Sequence, residues 1–507
     1  MSAALLRWLD DASDRLSAIA VKEVRQVVRS REFTYAFFAS LVAALAIAFF
    51  GAADALTGSG TSGTWTFVAL MVCLTLLGLT VVPLGAFNAL RTERMEQTFD
   101  LITITALSPR RVVIGKLTAQ VVKLVTFFAA VAPFMAMSFL LGGIDFVTIL
   151  ISLGVLFILS MWTSAAFLFL STLAKSRATS GLVFGAAGFL VIFVLFLSRI
   201  PMLVFGRGGM GAMSFGTSRA ATWWALAIMA SGCVMTLINL VLLAENRLAV
   251  PTVNRVTPLR IGFLGQFLLI AGWVLSYLGE PPRVQEDAIG ALGVIGGLHL
   301  GLVALFAVTE DLVLPRRALL EMQRPGPRGW LLALFRPGGG RGAAWVLAQM
   351  ALLVAAGAIF QPDGSTLRWL VAICAYVCFF TGIPAYFYRR IRPRGTATLK
   401  LRVAALLMLP IALILPDILY YVMGKSEVFD LGFGRRHLIN PFRTLANWPF
   451  VESSGWSVVP FLLGLAGLVA YLGLIQLGAR TTAEDMASAA EAAPIADGEP
   501  GSADALY

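Results

Sequence analysis

Charge is what this chain has least of. Asp, Glu, Lys and Arg make up 13% of its 507 residues, about half their share in soluble domains, and that excludes a water-soluble globule. Four cysteines and two histidines exclude a disulfide-built scaffold and make a multi-histidine metal centre or a His-based catalytic triad hard to assemble. A glycine period of the collagen kind and the high charge of a disordered chain are missing too. What is abundant is apolar: 58% of residues are hydrophobic. They gather into runs of roughly 20, the length that crosses a ~30 Å hydrocarbon core.

Twelve such runs are expected as spans: 33–53, 65–87, 117–141, 147–173, 180–197 and 222–243 in the first half, then 261–278, 288–308, 343–360, 369–388, 403–423 and 457–478. The runs are continuously apolar, without the alternation of a membrane barrel strand. A backbone buried in lipid then satisfies its own hydrogen bonds as helix. The expected fold class is an all-α polytopic integral membrane protein.

Lys and Arg set an orientation independently of hydropathy. With a cytoplasmic N-terminus, 29 of the 39 Lys and Arg fall on the cytoplasmic side and 9 on the other, with Lys123 inside the third span. The bias follows the positive-inside rule and puts both termini in the cytoplasm, as expected of a multi-pass protein of the bacterial inner (plasma) membrane. The net charge of +11 is thereby a topology and membrane-lipid signal. Basic residues scattered over loops of one face do not make a nucleic-acid surface, so no nucleic-acid partner is expected. Asp10, Asp11 and Asp14 and the charges from Lys22 to Glu32 separate Met1 from the first apolar run, which argues against a cleavable signal peptide. After Arg480 the acidic stretch 481–507, rich in Ala, Pro, Gly and Ser, reads as a disordered tail.

Two cytoplasmic segments carry helical periodicity. Leu16, Ile19, Ala20, Val24, Val27 and Val28 recur at spacings of three and four, giving an amphipathic helix along the inner leaflet within residues 1–32. Met95, Phe99 and Ile102 stand at i, i+4 and i+7 in the loop 88–116, an apolar stripe able to enter a groove on another protein. Ser108 and Pro109 then read as N-cap and first residue of the next helix: the serine oxygen accepts from a backbone N–H, and the proline lacks the donor that would be orphaned.

These segments resemble the permease subunits of ABC-2 type transporters. The likeness lies in Val21-Lys22-Glu23-Val24-Arg25-Gln26-Val27-Val28-Arg29-Ser30-Arg31 before span one, in Glu93-Arg94 with Thr98, in Ala106-Leu107-Ser108-Pro109 with Gly115-Lys116, and in the basic turn Leu173-Ala174-Lys175-Ser176-Arg177-Ala178-Thr179. It covers about 21–245. It implies a six-span permease domain over 33–245, a connecting helix before it, and a coupling helix within 91–105 that docks on a separate cytoplasmic ABC ATPase. The residues it assigns to docking are Glu93, Arg94, Met95, Gln97, Thr98, Phe99, Leu101, Ser108 and Pro109. Where the family usually has a glycine before the threonine and a glutamate two places after it, this chain has Gln97 and Asp100. The second six spans, 246–480, carry no matching loop and are expected as an added or degenerate membrane domain.

Chemistry within the chain is sparse. Gly424-Lys425-Ser426 imitates the end of a phosphate loop, but Leu419 stands where its first glycine belongs and no strand precedes it. ATP and Mg are therefore expected on the partner ATPase, with no cofactor, metal or catalytic residue here. Cys374 and Cys378 lie one turn apart and read as buried hydrophobes. His299 and Asp417, ionisable at membrane depth, are candidates for a transport path; the competing account is a histidine bonded to a neighbouring helix and an aspartate close to outer water. Gly293, Gly297 and Gly301 mark a small face for close helix packing.

The expectation is a permease subunit of an ATP-driven exporter, working as a homodimer or heterodimer with two ATPases. Alternatives are a secondary transporter, where intramembrane charges do the coupling, and a membrane enzyme acting on lipid-linked substrates.

Overall fold

The structure is a computed structural model, which describes residues 18–56, 62–95, 109–142, 144–173, 188, 220–249, 254–314, 319, 333–360, 364–392, 394, 401–405, 433–491 and isolated positions between 407 and 422. Among the described residues there is no strand, and ten helices are long and apolar enough to cross a bilayer. The protein is an all-α multi-pass membrane protein. The expected spans 180–197 and 403–423 fall largely outside the described residues. The chain divides into two compact units, Met1–Ala249 and Val250–Tyr507, parting beside the expected boundary at 245/246.

In the first unit a short helix, α1 (Ala18–Val28), leads into α2 (Arg31–Leu56). Next come α3 (Ser62–Leu76), a π-helical turn (Leu77–Val81) and α4 (Val82–Met95), which together form one span. Then follow α5 (Pro109–Leu140), α6 (Phe146–Ser171) and α7 (Ala220–Leu248). Helix α5 starts at Pro109, as expected, and extends eight residues beyond the apolar run at its start, which the sequence pattern placed at 117. Asp145 caps α6 by accepting from the Thr148 N–H at 2.9 Å. The core gathers Phe33, Leu70, Leu74, Leu124, Phe127 and Leu156, while Phe38, Phe49 and Leu140 face outward, as helices in lipid require. Helices α6 and α7 run parallel: Ile151 and Leu226 border one groove, the Trp162 indole donates to Thr236 Oγ1 at 2.8 Å, and Leu168 shares a cluster with Ala244.

The second unit contains α8 (Val256–Leu275), α9 (Pro282–Ala307), α10 (Gly339–Phe360), α11 (Gly364–Ile391), a 3-10 turn (Arg435–Ile439), the short α12 (Pro441–Ala446) and α13 (Trp448–Ser453), and α14 (Val458–Glu491). Helices α11 and α14 pack at backbone distance. A Cβ on Gly467 would lie 2.5 Å from the Cys378 carbonyl carbon, one on Gly464 2.4 Å from the Ala375 Cβ, and one on Gly473 2.3 Å from the Tyr386 ring. The paired positions rise together in number, so these helices also run parallel. Tyr471, wholly buried, shares a 2.8 Å hydrogen bond with Thr381.

Three expectations change. Gly293 and Gly297 do meet another helix, α11, at Trp369 and Ile373, but a Cβ on Gly301 would meet nothing within 4 Å among the described residues, so among these the small face is two residues long. Helix α14 continues to Glu491, through the first residues of the stretch expected to be a disordered tail; Ala483, Glu484, Met486 and Ala489 to Glu491 are good helix formers and extend an existing helix without a new nucleus. In α1 the buried face carries Glu23 beside Ala20, and Val28 is exposed.

Candidate functional site: a buried ion cluster at one end of the first unit

Helix α1 crosses α5 at Gly115, where a Cβ would lie 2.9 Å from Ile19 Cγ2 and 3.3 Å from the Ala20 backbone nitrogen. The close crossing leaves the next residue, Lys116, enclosed, with 1% of its side chain exposed. Its ammonium lies 3.0 Å from Glu23 Oε1 on α1 and 3.0 Å from Glu93 Oε2 on α4. It also reaches the Ala89 carbonyl at 3.4 Å. Lys22, on the outer side, stands 3.7 Å from Glu93. A buried charge needs both a counter-charge and further hydrogen bonds, and Lys116 takes them from two different helices. The arrangement joins three elements, the entry helix, the end of the second span and the start of the third, through one cation.

Two turns further along α5 a second lysine is buried. Lys123 donates to the Val81 carbonyl at 3.1 Å, and Ser160 of α6 donates to the Gly78 carbonyl at 2.6 Å. Both acceptors belong to the π turn. Its cause is legible: Pro83 has no N–H and its ring crowds the carbonyl four residues back, and an extra residue in the turn relieves that crowding. Two carbonyls of the turn, Gly78 and Val81, take donors from α6 and α5. Gln120 lies between the two lysines on the same face, fully enclosed.

Of the residues expected to dock a partner, Glu93 belongs to the ion cluster and Pro109 opens α5. Arg94 and Met95 end α4, and nothing is described of their side chains. Gln97, Thr98, Phe99, Leu101 and Ser108 lie outside the described residues, as does Asp417. His299 is buried in the second unit, its ring 6.1 Å from Phe263 and 6.0 Å from Phe267. It lies beside the buried Gln349 side chain, though neither its Nε2 nor the Gln349 amide atoms make a hydrogen bond of ordinary geometry among the described residues. The two histidines are far apart in sequence and role: His437 is enclosed by the 3-10 turn, with Nδ1 accepting from the Gly434 N–H at 3.0 Å. Among the described residues no group of three His, Cys, Asp or Glu is placed to hold a metal ion. Cys374 and Cys378 are buried.

The second unit has an ion cluster of its own. Arg260 donates to the Leu334 and Arg336 carbonyls at 2.7 Å and pairs with Glu310 at 2.7 Å. Arg389 pairs with Asp311 at 2.9 Å. Together they bind the end of α9 to the ends of α8, α10 and α11.

Sequence reasoning missed the partnership of Glu23 with Lys116 and the burial of Lys123. The available signal was the seven-residue spacing of the two lysines, with Gln120 between, which sets all three on one helix face. No protein-family model, curated protein or solved structure matches the chain. Fold and composition define the class, a multi-pass membrane protein built of helices.

Proposed function

We propose that the chain is the transmembrane permease subunit of an ATP-driven exporter, coupled through the cytoplasmic segment 91–105 to a separate ABC ATPase that binds ATP and Mg. The observation that carries this reading is the Glu23–Lys116–Glu93 cluster. Segment 91–105 is joined directly to α4 on one side and to α5 on the other. A push on it from below is transmitted to both spans and to α1 through that buried cation, because the three elements cannot separate without leaving a charge unpaired. The segment sequence supports the reading through its likeness to ABC-2 permeases.

Twelve spans fit the same account. Helices α6 and α7 run parallel, and so do α11 and α14, and a chain joins two parallel spans by crossing the bilayer once more between them. The apolar runs 180–197 and 403–423 are the segments available for those crossings. Both termini, the ion clusters and the 91–105 segment then share the cytoplasmic side, where the Lys and Arg excess lies. One coupling segment per chain favours a pair of permeases served by two ATPases.

Affinity purification of the solubilised protein from its own membranes tests the reading. An ATPase subunit is expected to come with it, and charge reversal at Glu93 and Arg94 is expected to reduce the recovered ATPase by tenfold or more. A chain that purifies without any ATPase, and is unaffected by the reversal, contradicts it.

A second reading, a proton-coupled secondary transporter, is favoured by one observation: an ionisable side chain, His299, buried beside Gln349 in the interior of the second unit. Uptake that survives ATP depletion, collapses with an uncoupler and is lost in His299→Gln would establish it instead.

A further inference from the structure

The end of α11 and the second half of α14 border an open cavity of about 590 Å³ lined by Arg390, Arg392, Arg394, Arg480, Leu477 and Glu484. Its charge is unbalanced. Arg394 lies 3.5 Å from Glu484 and 3.9 Å from Asp485. Arg390, Arg392 and Arg480 have no carboxylate within 4.0 Å among the described residues. Three exposed guanidiniums thus border one space without a carboxylate partner among the described residues, whereas the buried arginines of this unit, Arg260 and Arg389, are each paired.

The depth of the cavity is set by the two helices. On α11 the exposed apolar Phe387 and Ile391 are interleaved with Arg390 and followed by Arg392; on α14 the exposed Leu472 and the half-buried Leu477 precede Arg480. Both helices change from lipid-facing to charged at this level, so the cavity sits where hydrocarbon meets headgroups, with an apolar side at Leu477 and a basic side opposite. Guanidinium groups present paired donors that match phosphate oxygens, and basic pockets between spans at this depth are where anionic headgroups are held.

We infer that the open cavity between the end of α11 and the second half of α14 is a binding site for the phosphate headgroup of an anionic phospholipid, with Arg390, Arg392 and Arg480 as its ligands. The site is independent of what the protein transports. The lipid's phosphodiester lies among the guanidiniums and its glycerol and upper acyl chain lie against Leu477, a combination that free phosphate does not satisfy.

The test uses the full-length protein, delipidated in neutral detergent and titrated with phosphatidylglycerol or phosphatidylcholine, with retained lipid counted by native mass spectrometry. One phosphatidylglycerol per chain is expected to persist at concentrations where phosphatidylcholine does not. The triple variant Arg390→Gln, Arg392→Gln, Arg480→Gln is expected to bind it about a hundredfold more weakly, at about fivefold per arginine. Arg283→Gln, at the opposite end of the unit, leaves it unchanged. Should the triple variant not purify, Arg480→Gln and Arg480→Lys separate the outcomes: about fivefold loss in the first and retention in the second. Equal binding of phosphatidylglycerol by wild type and triple variant overturns the inference. Displacement of the lipid by inorganic phosphate at equal concentration overturns it too, and assigns the site to a soluble phosphate.

Discussion

Lys116 is enclosed by three helices and neutralised by two carboxylates from different ones. Removing the cation alone leaves Glu23 buried without its partner, which costs about 3–5 kcal/mol. Lys116→Met is therefore expected to release α1, seen as proteolytic cleavage near residues 28–31 that wild type resists, and the double variant Lys116→Met, Glu23→Leu to recover much of that resistance. If the double variant is no better than the single, the pair does not act as a unit. A separate carboxylate carries a pH dependence. Glu452 of α13 accepts from the Ser365 hydroxyl and, next in weight, from Arg368 at the start of α11, and these bonds hold its carboxyl below the usual carboxylate range. The native state thus favours the ionised form. The stabilisation is present above about pH 4.5, the ordinary value, and is lost as the pH falls through the lower native value. Thermal stability of the purified protein is expected to fall on acidification below pH 4.5, less steeply in Glu452→Gln than in wild type.

At the scale of elements, the π turn gives the clearest link between sequence and shape. Pro83 follows the turn by two residues, and Lys123 and Ser160 donate to two of the turn's carbonyls, Val81 and Gly78. A Cβ on Gly78 would lie 3.6 Å from Ser160 Oγ, so cysteines at 78 and 160 are expected to form a disulfide on oxidation. Adding Pro83→Ala restores regular α-helix, rotates Gly78 away from α6 and lowers that yield severalfold; an unchanged yield separates the π turn from the proline. The packing of α11 on α14 is as specific. Gly467→Leu places a side chain where the Cys378 backbone stands 2.5 Å away, and the forced separation is expected to lower thermal stability by at least the 1–3 kcal/mol typical of overpacking.

Ten of the expected spans were legible, because about 20 consecutive apolar residues have one physical solution in lipid. The helix start at Pro109 was marked by residue chemistry. Polar contacts across helices were not legible, because Glu23 and Lys116 are 93 positions apart and periodicity reports faces, not the neighbours those faces meet. Val28 shows the same limit: at the right spacing for the apolar face of α1, it is exposed, while Glu23 takes the buried place.

On the scale of the whole molecule, two compact units follow one another in the chain, and each closes one end with buried ion pairs while leaving an apolar exterior for lipid. In the first, the closed end is where segment 91–105 leaves α4 and rejoins α5. In the proposed function that segment has a mechanical task, carrying force from a cytoplasmic ATPase into the spans. The most direct measurement is photo-crosslinking in intact cells from an unnatural amino acid at position 99. The account predicts a crosslink to a soluble nucleotide-binding subunit. Labelling of Phe99→Cys from outside the cell by a membrane-impermeant thiol reagent, with no ATPase captured, would contradict it.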